Sequence, residues 1–137
     1  MDKKNPTGTG YFSLNRKMNH TPGINSVAVG NQTIASGNYS FAEGYSTTAS
    51  GYCSHAAGLM VKASGSCSHA EGYRTEASGD YSHTDGYYTK ASGDYSHAEG
   101  YETEAFGMDS HTEGYDTEAS GTDSHAEGEG TKASHKS

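Results

Sequence analysis

Large apolar side chains are scarce in this chain. Leu, Ile, Val and Phe together number ten among 137 residues, there are only two prolines, and the formal net charge is −8 with histidine neutral. So little bulky hydrocarbon beside so much charge excludes an ordinary globular core, and taken alone it would describe a disordered polymer. The two cysteines, Cys53 and Cys67, make neither a disulfide framework nor a zinc motif. No stretch is long and apolar enough to insert into a membrane, and the N-terminus lacks the apolar core of a secretory signal. The expectation is an export signal supplied elsewhere, or exit from the cell by another route such as lysis. The acidic balance argues against nucleic acid as a partner.

What the chain does have is a period. Ser-His-Ala-Glu-Gly occurs at 68–72, 96–100 and 124–128, with near copies at 54–58, 82–86 and 110–114. Eight fourteen-residue repeats run 24–37, 38–51, 52–65, 66–79, 80–93, 94–107, 108–121 and 122–135. Each has Ser third, Gly seventh and Ala twelfth; the fourteenth is Gly until His135, and the tenth is Thr except at Val61. A strict period removes the expectation of disorder, because stacked coils can replace a bulky core with backbone ladders and small side chains. The first 23 residues stand outside the repeat. They read as a lead-in and cap over the open edge of the first coil, with a short strand at Tyr11–Asn15 and a turn at Thr21-Pro22-Gly23. The first ten residues also suit a disordered tail. Residues 136–137 are a C-terminal remnant.

Two glycines seven residues apart divide each repeat into two runs of five or six residues. The glycines read as corners that need positive φ, and each run alternates small with larger residues, as a strand with two different faces does. Ser, Ala/Thr, Thr and Ala must point inward, since only small groups fit between two close strands. Eight coils stacked at about 4.8 Å would make a rod roughly 40 Å long. A helical repeat is disfavoured, because glycine costs about 1 kcal/mol against Ala in a helix.

Positions four and six of the first strand share an outer face. They read Val27/Val29, Phe41/Glu43, His55/Ala57, His69/Glu71, His83/Asp85, His97/Glu99, His111/Glu113 and His125/Glu127. An exposed flat patch of Val27, Val29 and Phe41 implies that this face meets another chain. The outer set on the second strand is Lys62, Glu76, Lys90, Glu104, Glu118 and Lys132, a solvated face of mixed charge.

Ser26-Val27-Ala28-Val29-Gly30 after Asn25, followed by Ala-Ser-Gly and Ser-x-Ala-x-Gly at fourteen-residue spacing, resembles the YadA-like head repeat of trimeric autotransporter adhesins over residues 24–135. The resemblance implies a left-handed parallel β-roll, a homotrimer with the position-four and position-six residues turned to the three-fold axis, and attachment to extracellular matrix or host surfaces, protein or glycan. An extracellular place on a cell surface or a virion follows from it. The Ser-His-Ala-Glu-Gly-Tyr variant is similar to versions in Gram-positive bacteria and their phages, where a self-cleaving domain sometimes follows. A structural spacer carrying such a domain is the competing expectation.

The imidazoles then admit three readings. They could hydrogen-bond to the carboxylates across chains and fix register. Three-fold layers at His69, His83, His97 or His111 could capture a metal or an anion. A titrating axis could make the rod pH-sensitive, with a sign that the sequence leaves open. Tyr45, Tyr73, Tyr87, Tyr101 and Tyr115 at the eighth position, with Tyr39, Tyr81 and Tyr95 at the second, could cover subunit seams or grip a ligand. Cys53 and Cys67 fall at one position of adjacent coils, as a disulfide or as free stacked thiols. No cofactor is implied. Catalysis is not expected, because adjacent Ser and His on a strand face opposite sides and the His/acid pairs recur as a ladder, not as one site.

Overall fold

The computed structural model describes Phe12–Leu14 and residues 20–134. The rest of the lead-in, His135 and the C-terminal remnant lie outside the described residues. Each coil contributes one five-residue strand and one two-residue strand. The long strands are Val27–Asn31, Phe41–Tyr45, His55–Leu59, His69–Tyr73, His83–Tyr87, His97–Tyr101, His111–Tyr115 and His125–Glu129. They form one parallel sheet, and the short strands, from Ile34–Ala35 to Lys132–Ala133, form a second sheet of eight. Equivalent repeat positions pair throughout, so that His83 lies beside His97, Asp85 beside Glu99 and Tyr87 beside Tyr101. The strand Phe12–Leu14 adds to the first coil in parallel, Phe12 beside Val27 and Leu14 beside Val29.

The interior is as small as the alternation demands. Ala42, Ala56, Ala70, Ala98 and their short-strand counterparts Ala49, Ala63, Ala77 and Ala105 are fully shielded, and Val61 is the largest side chain among the buried set. The third-position serines do more than fit. Each donates its hydroxyl to the carbonyl of the glycine three residues earlier, as in Ser40 Oγ to Gly37 O at 2.6 Å and Ser82 Oγ to Gly79 O at 2.6 Å. Serine is therefore the turn's own cap, which Ala could not supply.

Two expectations about the corners need correction. The seventh-position glycines do take positive φ, between 102° and 126°, but the fourteenth-position glycines do not. A Cβ on Gly93 would lie 1.9 Å from Gly107 O in the next coil. Close approach of backbone, not a left-handed conformation, requires glycine there. Apart from Gly130 at φ 63°, the corner residues near φ 60° are not glycines: Tyr39, Cys53, Cys67, Tyr81 and Tyr95 at the second position, and Gln32, Ser46, Met60, Arg74, Tyr88, Glu102 and Asp116 at the ninth, have φ from 53° to 61°. Each such conformation costs roughly 1–2 kcal/mol. It is held because the N–H reaches the coil below, as in Tyr39 N to Ile24 O at 2.7 Å and Tyr88 N to Tyr73 O at 2.9 Å. That ninth-position corner also cuts the second run, expected to be a full strand, to two residues.

Candidate functional site

The fourth-position side chains form one continuous column. Phe41 stacks on His55 with centroids 4.9 Å apart, and His55, His69, His83, His97, His111 and His125 follow at 4.7–4.9 Å. This spacing is that of the strands beneath, so in-register pairing alone aligns the rings. Val27, Val29, Phe41 and the imidazoles from His55 to His111 are half-buried, and His125 is exposed.

The carboxylates beside them pair within the chain. Nε2 of His69, His97 and His125 lies 3.2, 3.3 and 3.4 Å from the Glu71, Glu99 and Glu127 carboxylates two residues on. His55, whose own sixth position is Ala57, turns to Glu43 of the coil below at 3.6 Å, and His111 lies 3.8 Å from Glu113. Both distances are too long for a hydrogen bond, and these two shielded nitrogens have no hydrogen-bond partner among the described residues. Burial first, and the imidazoles on either side second, lower the pKa of His83 and His111; Asp85 and Glu71 oppose the shift at His83.

One chain thus places one imidazole at each level, so the layers at His69, His83, His97 and His111 could hold three imidazoles only with three chains. Among the described residues, Glu113, His125 and Glu127 bring one ligand atom each within 4.8 Å of one another.

The eighth-position tyrosines form a second column on the same sheet. Tyr73, Tyr87, Tyr101 and Tyr115 stack at 4.8–4.9 Å with planes within 9° of parallel. Tyr45 is separated from them by Leu59. At the second-position corner Tyr81 lies flat on Tyr95 at 5.1 Å. Cys53 and Cys67 are free and exposed. Phe106, which stands where the other repeats have Ser, takes the Lys90 ammonium over its ring at 5.7 Å.

The ninth position reads from sequence only as charged neighbours, Arg74, Glu102 and Asp116, of the solvated second-strand face. There Arg74 lies over two rings, 5.3 Å from the Tyr88 centroid and 5.6 Å from that of Tyr73, and donates to the Tyr88 hydroxyl at 2.7 Å. The signal available was the column itself, Arg74, Tyr88, Glu102, Asp116, once the corner was known to be left-handed.

Small interior residues, in-register outer columns and parallel sheets from end to end define a β-solenoid built of fourteen-residue coils. The model of the YadA head domain repeat matches residues 22–47 in two copies, which supports a YadA-like head domain. Later coils continue the register of those two without interruption. No curated protein matches the chain. The family is a structural adhesin domain, which suggests an adhesin-type role at a surface and gives no support to catalysis.

Proposed function

We propose that the chain is a non-enzymatic attachment head: a left-handed β-roll of which three copies associate through the column running from Val27, Val29 and Phe41 to His125. The carrying observation is that column, a flat ladder of half-buried rings in which the His55 and His111 nitrogens lack hydrogen-bond partners among the described residues. A second chain would cover the apolar end and give those nitrogens acceptors. Lateral association also adds the buried area that an interior of Ala, Ser and Thr cannot provide. Light scattering tests the assembly: a mass of three times 14.4 kDa is expected, and a monomer refutes it.

The rod would work outside the cell, on a cell surface or a virion, with a host or matrix surface, protein or glycan, as partner. Five tyrosines, Tyr39, Tyr45, Tyr81, Tyr95 and Tyr115, are each 45–58% accessible and available to such a partner. Binding on matrix and glycan arrays that is lost on substituting the outer tyrosines supports attachment. Silence on every array supports the second reading, a spacer that holds another domain away from its base. The sameness of coil after coil favours that alternative.

A further inference from the structure

The tyrosine column restricts what it can bind. Tyr87 and Tyr101 are covered on both faces by their neighbours in the stack, so they offer solvent mainly edges and hydroxyls. Sugar rings stack on open aromatic faces, and those two have none. The neighbouring corner, by contrast, already holds a cation. Arg74 lies over Tyr73 and Tyr88 and donates to the Tyr88 hydroxyl.

Two coils above Arg74 and onward, the same corner column carries carboxylates, Glu102 and then Asp116, both at φ near 54°. With Tyr88 at the bottom, Glu104 and Glu118 along the short sheet and Lys132 at the top, they line an open groove of about 330 Å³. Lys132 is engaged with Glu118 at 2.8 Å. Four carboxylates therefore face one ammonium, beside a tyrosine that binds a guanidinium from below.

We infer that this groove receives arginine side chains of an extended basic segment on a partner protein, the guanidinium lying against Tyr88 and pairing with Glu102 and Asp116. Arginine fits better than lysine, because a planar fork can meet two carboxylate oxygens while stacking on a ring. The net charge of −8 attracts such a partner and repels sulfated or phosphorylated ones. This identifies the ligand class for the attachment reading and rests on that reading.

The test measures binding of a labelled short peptide of alternating Arg and Gly to the intact protein, against the same peptide with Lys or with citrulline. The Arg peptide should bind more tightly than the Lys one, and the uncharged citrulline peptide should not bind. Replacing Glu102→Gln with Asp116→Asn should weaken binding about tenfold or more, and Tyr88→Ala should weaken it several-fold, roughly. Folding is not at stake in the acid pair, since both side chains are exposed and Gln32 already occupies the same corner position at φ 59°. The charge-matched pair Asp109→Asn with Asp123→Asn, on the other corner, should leave binding within about twofold.

Equal loss in both pairs would show diffuse attraction and overturn the inference, as would indifference to citrulline. A changed oligomeric mass in the Glu102/Asp116 variant would reassign the groove to a contact between copies. Array binding by a rod that ignores the Arg peptide would leave attachment standing and remove this ligand. Peptide binding with silent arrays would support the groove and remove the attachment reading.

Discussion

Gly93→Ala tests the close approach of successive coils. The new Cβ would stand 1.9 Å from Gly107 O and 2.4 Å from Gly107 C, both backbone atoms. Relief requires the two coils to part locally by more than 1 Å, since Cβ atoms essentially never approach within 3.0 Å. The bonds across that seam, Ser92 N to Ala105 O at 2.8 Å and Gly93 N to Ala105 O at 3.3 Å, would then both exceed hydrogen-bonding distance. Two lost bonds at about 1 kcal/mol each, plus the desolvation of the groups left without partners, come to roughly 3–5 kcal/mol. For a chain of this size that is a fall in Tm of about 10–20 °C. In a solenoid the loss falls on one nearest-neighbour interface, so amide exchange should accelerate around residues 92–107 more than elsewhere. The comparison is Gly130→Asp, where a Cβ would meet nothing within 4 Å and φ is 63°. Asp116 already adopts φ 53° at that position one coil below, so stability should hold to within about 0.5 kcal/mol. Thermal and denaturant unfolding of the two variants decides the matter. If Gly93→Ala unfolds with the parent, the seam is looser than described and this account of the fourteenth position fails.

Three further outcomes are expected. Thr75 and Thr89 carry buried hydroxyls without hydrogen-bond partners among the described residues, and Val61 fills the same tenth position; Thr75→Val with Thr89→Val should therefore stabilise the rod, by about 1 kcal/mol each, and a lower denaturation midpoint would contradict this. Ser82→Ala deletes the hydroxyl that donates to Gly79 O; a loss of about 1 kcal/mol is expected in the same assay, and no loss would reduce the serine to mere size. The lowered pKa values of His83 and His111 mean that the unfolded chain binds protons more readily than the folded one. Stability should therefore be full above the ordinary histidine value near 6.5 and fall as pH drops through it towards the folded values. Melts recorded from pH 8 to pH 5 should show that decline, and a rise on acidification would reverse the assignment.

The inward set and the coil length were legible because small residues recur with an unbroken period, and steric exclusion leaves them one side to occupy. The corners were not legible. Ser46, Met60, Arg74, Tyr88 and Glu102 share no intrinsic preference for positive φ; the coil beneath imposes it by accepting their N–H. The fourteenth-position glycine was found but misexplained, since sequence shows that a side chain is absent and not which neighbour forbids it. At the candidate sites, the columns of His55–His125 and of tyrosines could be written down from the repeat. Which nitrogens stay unpartnered could not, because that turns on tenths of an ångström at Glu43 and Glu113. Nor could the Arg74 seat on Tyr88, which needs the bend of a corner to bring two coils' side chains together.

In-register stacking also makes the rod's length a matter of whole rungs. Excising 94–107 would leave Lys90 facing Glu118 on the short sheet, with Tyr87 against Tyr115 and His83 against His111, so the shortened rod would close as neatly as the parent. Excising 66–79 would bring Lys62 against Lys90 and Leu59 against Tyr87. The interior tolerates either deletion, and only the outer columns distinguish them. Reach can thus be altered one rung at a time, with surface charge deciding which rung is dispensable.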